Sequence, residues 1–168
     1  MPGRDDRGRG QAMVEFALSV PIIFVLILGT FEAARFIFYY QLVNDAAREG
    51  ARYAMVHGSR SACPSGPPPP GETNPCDPTG ANVKTAVGQA ALDFASTGQL
   101  VVFDPVWTSR GSLSPPRRGD ASTGANGRGD HVTVFVDFTY HPLIKEVVDV
   151  PILPPITVSA ESTLVVNN

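Results

Sequence analysis

From Ala12 to Phe31 the chain runs through twenty residues, mostly Leu, Ile, Val, Phe and Ala, broken by Glu15, Ser19 and Pro21. As a helix this stretch spans about 30 Å, the thickness of a bilayer's hydrocarbon core. A run of that kind is either a retained anchor or a cleaved secretory signal. A signal needs a short apolar core followed by an Ala-x-Ala-like site, and no such triplet occurs between Gly29 and Ala54. Instead, Glu32-Ala-Ala-Arg-Phe-Ile-Phe-Tyr-Tyr carries helical periodicity onward, so the reading is retention. Glu15 is a costly residue at the head of such a segment and calls for a physical reason.

A chain of 168 residues is long enough for one modest domain besides the anchor. With a net charge of -3 and 17% charged residues there is no electrostatic case for nucleic acid as a partner. Sixteen Gly and sixteen Pro predict long loops. Arg4, Arg7 and Arg9 precede the apolar run while Arg35, Arg48 and Arg52 follow it, so the positive-inside count is close to a tie.

Helical periodicity predicts one helix from Ala12 to about Met55, because an intramembrane helix tolerates a proline such as Pro21. Past the anchor, Phe36, Tyr39/Tyr40, Val43, Ala46/Ala47, Gly50/Ala51 and Ala54 form an amphipathic stripe. Its small residues would let another element approach closely, and Glu49 and Arg52 form an i,i+3 pair on the polar side. His57-Gly58 ends the helix. A Pro-rich loop follows, carrying Cys63 and Cys76. A second helix is expected from about Gly80 to Ala95, then a short apolar strand over Gln99–Phe103, with Val106–Thr108 as an extension. The stretch 109–130 is polar and rich in Gly, Ser, Pro and Arg, and reads as a mobile loop. His131–His141 alternates as a strand with Val132, Val134, Val136, Phe138 and Tyr140 on one face. Ile156–Val166 alternates likewise, and the intervening 142–155 loop favours antiparallel pairing of the two. The expected class is α+β: a long transmembrane-plus-stalk helix, a second short helix, and a small antiparallel sheet packed on the stalk.

Three separated blocks then stand out: Arg9-Gly-Gln-Ala-Met-Val-Glu-Phe-Ala-Leu-Ser-Val-Pro, Gly29-Thr-Phe-Glu-Ala-Ala-Arg-Phe, and Asn44-Asp-Ala-Ala-Arg-Glu-Gly-Ala-Arg-Tyr-Ala. In this order they resemble the TadE-like family, pseudopilins of the tight-adherence (Flp pilus) machinery, over roughly Gly10 to Arg52. The first block by itself resembles a type IV prepilin leader. The resemblance implies that residues 1–10 are a leader cut after Gly10 by a prepilin peptidase, leaving Gln11 as the new amino terminus. Residues 11–57 would then be membrane helix and stalk, 58–79 the Pro-rich Cys loop, and 80–168 an extracytoplasmic α+β domain. It further implies a single-pass protein of the bacterial cytoplasmic membrane with a cytoplasmic N-terminus, partnered by pilin-like subunits and the tight-adherence machinery. The Pro- and Gly-rich insertions between Cys63 and Asp130 depart from the family's pattern.

For Glu15, with Phe16 beside it, the resemblance implies pairing with the new terminal ammonium, on its own subunit or a neighbour. One helical turn separates Gln11 from Glu15, which permits the intramolecular contact. The competing reading is a headgroup-level carboxylate that snorkels into water. Cys63 and Cys76 read as a disulfide, being an even pair outside the cytoplasm; closing such a loop contributes about 3 kcal/mol. Zinc is disfavoured because neither cysteine has a close Cys or His companion. His57, His131 and His141 form no catalytic group, and no phosphate loop or nucleophile motif is present. The two Arg-Gly-Asp triplets, 118–120 and 128–130, are what a Gly/Arg-rich loop produces by chance. The expectation is therefore a protein without enzymatic activity, cofactor, metal or small-molecule substrate. A membrane-anchored binding protein unrelated to pili is the alternative.

Overall fold

The computed structural model describes residues 6–92, 98–112, 114–143 and 154–167. The elements run α1 (Asp6–Val56), α2 (Ala81–Ala90), β1 (Leu100–Val102), β2 (Val106–Thr108), β3 (His131–Tyr140) and β4 (Ile156–Val165). The class is α+β, with a long apolar N-terminal helix, a short second helix and a small antiparallel sheet. The chain forms two units, Met1–Ile37 with Pro142–Leu153 and Phe38–His141 with Pro154–Asn168.

In the first unit α1 starts at Asp6, earlier than the apolar pattern predicts. Once the apolar segment is helical, adding residues to its end needs no new nucleus, so even Gly8 and Gly10 are carried along. Pro21 lies inside the helix. It leaves the Ala17 carbonyl without an amide donor. Ser19 Oγ donates to the Glu15 carbonyl at 2.8 Å, and Thr30 Oγ1 to those of Leu26 and Ile27 at 3.0 and 2.9 Å. Both hydroxyls are thereby satisfied within the helix, as they would have to be were the segment to meet hydrocarbon. The large apolar side chains from Met13 to Leu28 are exposed, Val20 alone being half-buried.

In the second unit the helix changes character. Val43, Ala46, Ala47, Ala51 and Ala54 are fully buried. Asp45, Arg48, Glu49 and Arg52 are exposed on the other side, paired as Arg48–Asp45 and Arg52–Glu49. Such exposed pairs add little stability; burial of the small-residue face does the work. Gly50 marks the closest approach. A Cβ there would overlap Val87 of α2 and lie 3.3 Å from Val134 of β3. Tyr39 stacks on Phe138 with ring centroids 4.8 Å apart.

β3 is the spine of the sheet. β4 pairs along its whole length, from His131↔Val165 to Tyr140↔Ile156. β1 and β2 lie end to end on its other edge, all antiparallel. Val102 pairs Val136 whereas Val106 pairs Thr133, so residues 103–105 oppose only two residues of β3. This is a β-bulge, and Pro105, with no amide to donate, sits in it. The predicted continuous extension is therefore two strands whose facing is offset by one residue. β3 is also more buried than its alternation implies: Thr133 and Phe135, on the face expected to be polar, are covered as well. Arg118 pairs with Asp137 on that face, and its guanidinium lies over the Phe103 ring.

Helix α2 ends at Ala90, short of the expected Ala95; Leu92 takes a left-handed φ of 52° and turns the chain away. Most of the 142–155 loop lies outside the described residues.

Candidate functional site

The residues singled out by sequence fall into two places. Gly10, Gln11, Glu15 and Phe16 lie on one exposed stretch of α1, and the space around Gly10 is open. They share a helix end, but no side-chain contact among them gathers them into a pocket. Cys63 and Cys76 are joined by a disulfide with Cα atoms 5.4 Å apart. Among the described residues no three His, Cys, Asp or Glu side chains come together in a way that could hold a metal ion.

The Pro-rich loop is the most highly organised surface feature, and two buried polar residues unremarked in the sequence build it. Asn74 Nδ2 donates to the carbonyls of Pro64, Gly66 and Asp77 at 3.1, 2.8 and 3.0 Å. Its Oδ1 accepts from the amides of Cys76 and Asp77 at 3.0 and 3.2 Å. One side chain thus ties both arms of the disulfide loop together. Asp77 reaches past Gly80 to the start of α2, where Oδ1 accepts the Ala81 amide at 2.8 Å and Oδ2 the Asn82 amide at 2.9 Å. It acts as the helix's acidic cap from outside the usual position. The signal was present as Asn74-Pro-Cys-Asp-Pro-Thr-Gly, whose Asx residues favour side-chain-to-backbone turns.

Burial pushes the Asp77 carboxyl up, but the amides of Asn82 and Ala81 outweigh it, so the group titrates below the ordinary carboxylate range. A depressed folded-state pKa stabilises above the unfolded-state value, and that contribution disappears as pH falls through the folded-state value. Asp77→Ala is accordingly expected to lower stability by about 1–2 kcal/mol at neutral pH. The gap from the parent chain should close in acid below about pH 4. Denaturant titrations of the full chain at a series of pH values check this; a pH-independent gap would remove the capping role.

Under this loop lies Trp107 of β2, 1% exposed. Gly66 (φ 102°) and Gly80 (φ 79°) both approach its indole so closely that a Cβ on either would overlap the ring. The 109–130 stretch has neither helix nor strand in its described residues, yet it is tied to the same region. The amides of Thr123 and Gly124 donate to the Trp107 carbonyl at 2.9 Å, and Asn126 bridges Pro67 and Ser59 through its backbone and Ser65 through Nδ2. Loop, disulfide, indole and 109–130 stretch therefore form one cap on the second unit.

No curated protein and no solved structure shows significant similarity to the chain. Residues 10–52, which run from the exposed glycine through the apolar helix to the small-residue face, match the family model described as TadE-like protein, so this stretch of the chain is TadE-like.

Proposed function

We propose that this chain is a TadE-like minor pilin subunit, a structural component of tight-adherence (Flp) pilus assembly or secretion. It would be anchored once in the bacterial cytoplasmic membrane, with its N-terminus inside and its sheet-bearing unit outside. The observation that carries this reading is the family match over residues 10–52, which takes in a scissile-type glycine, Glu15 and the small-residue stripe. Among the described residues one helix is long and apolar enough to cross a membrane, with mean hydropathy 2.3 in its most apolar window. The Cys63–Cys76 disulfide supports an oxidising location for the second unit.

In this reading a prepilin peptidase cuts after Gly10, and subunits associate laterally through their apolar helices. Glu15 then neutralises an ammonium that lateral packing would otherwise bury unpaired. The chain's work is to pack and position; the proposal assigns it no catalytic group. Deleting the chain from a cell that makes tight-adherence pili tests the proposal. Loss of surface pili, restored by the intact chain, is expected. Normal piliation without it would favour an anchored binding protein.

A further inference from the structure

In the unit formed by Met1–Ile37 and Pro142–Leu153, Glu32 follows directly on Phe31, the last residue of the apolar run. A carboxylate at the edge of hydrocarbon is costly unless its oxygens are compensated. Here Oε2 meets Arg35 Nη1 at 3.4 Å, and Oε1 accepts the backbone amide of Leu143 at 3.0 Å. The second bond ties the connection between β3 and β4 to the end of the span. It also gives a partner to an amide that, at lipid level, could not count on water.

Apolar exposure does not stop at the charged pair. Phe31 is 56% exposed and Ile37 54%, one on either side of Glu32 and Arg35, and Leu143 is 37% exposed. A lone exposed leucine on a soluble protein needs no explanation. This one has its backbone fixed to the residue that follows a bilayer-length apolar run within α1, so its depth is set by that segment. A neighbouring lipid headgroup region, continuous with the surface that bathes the span, is the surrounding that suits an exposed leucine there.

We propose that Leu143, just after β3, makes a second contact with the bilayer by entering the interfacial lipid, Glu32 serving as the clamp that holds it at that depth. The inference rests on the membrane-anchor reading and adds to it an interfacial contact at Leu143. Glu32 is a positioning residue, not a lipid ligand.

The test uses the full chain reconstituted in phosphatidylcholine vesicles, with an environment-sensitive fluorophore on one introduced cysteine. Cys63 and Cys76 are bonded to each other, so labelling is confined to the new thiol. Three sites are compared: Leu143→Cys, Phe24→Cys within the span, and Ala121→Cys at an exposed position of the 109–130 stretch. Spin-labelled lipids quench by depth. The expected result is strongest quenching of the 143 probe by labels near the headgroup, of the 24 probe by labels near the chain ends, and none at 121. A quenched 24 probe with an unquenched 143 probe would overturn the interfacial contact while leaving the anchor intact. An unquenched 24 probe would overturn the anchor reading and the contact with it. Adding Glu32→Ala should abolish most quenching at 143 and leave 24 unchanged; undiminished quenching at 143 would overturn the clamp.

Discussion

Trp107→Ala is expected to destabilise the sheet-bearing unit by about 3–5 kcal/mol, the range for removing a large buried aromatic. The indole lies against Gly66 of the disulfide loop and Gly80 before α2, while the 109–130 stretch is bonded to the Trp107 backbone carbonyl, and two glycines offer no side chain to fill the space the ring leaves. Gly66→Ala and Gly80→Ala approach the same contact from outside. Each would force a Cβ into the ring at a φ that L-residues disfavour, so each should cost about 2–4 kcal/mol. Trp107→Phe should cost less than alanine. It keeps much of the ring area and removes an Nε1–H that has no protein acceptor among the described residues. Circular dichroism of the full chain in detergent during denaturant unfolding ranks the four variants. A cost below about 1 kcal/mol for Trp107→Ala would mean the cap is not built on the indole.

Glu15→Ala is expected to leave membrane insertion intact, since it removes a charge from an apolar segment, and to reduce assembly at least about tenfold. The reasoning is one of compensation. Cutting after Gly10 places an ammonium on Gln11, one helical turn from the Glu15 carboxylate. Lateral packing would take that ammonium out of water, and leaving one member of a buried pair without its partner costs about 3–5 kcal/mol. Glu15→Gln should fail almost as badly, because an amide keeps the shape and loses the charge; Glu15→Asp should recover part of the function. Quantifying the chain in sheared pilus and membrane fractions distinguishes these outcomes. Normal assembly with alanine would leave Glu15 as a carboxylate that simply reaches water.

The legible parts of this molecule were those governed by periodicity. The apolar run forms one continuous helix, while the stripe from Val43 to Ala54 and the alternation of β3 and β4 bury faces whose spacing is written in the residues, and the structure follows them. Even Gly50 announced a close approach, though not that Val87 and Val134 would supply it. Features that depend on one residue in a tertiary setting were not legible. Pro105 places an extra residue between β1 and β2, so Trp107 pairs Val132 in a register that alternation alone would not give. Phe135 was the one apolar residue on β3's polar face, and it signalled that something covers that face; Arg118, arriving from a loop without periodicity, is part of the cover. The end of α2 escaped for the opposite reason: the helical pattern continues to Phe94, but the backbone has already turned at Leu92. Asn74 and Asp77 act through backbone groups distant in the loop, and hydropathy carries no record of such bonds. The helix-end residues Gly10 and Glu15 are the reverse case. On the proposed reading their role lies in their spacing, and an isolated chain gives them no pocket in which to display it.

In the proposed function the chain is made with a leader and matures by losing it. Intact mass and N-terminal sequence of the protein purified from membranes, with and without a prepilin peptidase in the same cells, address this directly. The account predicts a start at Gln11 when the peptidase is present and an uncut N-terminus when it is absent. A start at Met1 or Pro2 under both conditions would contradict it.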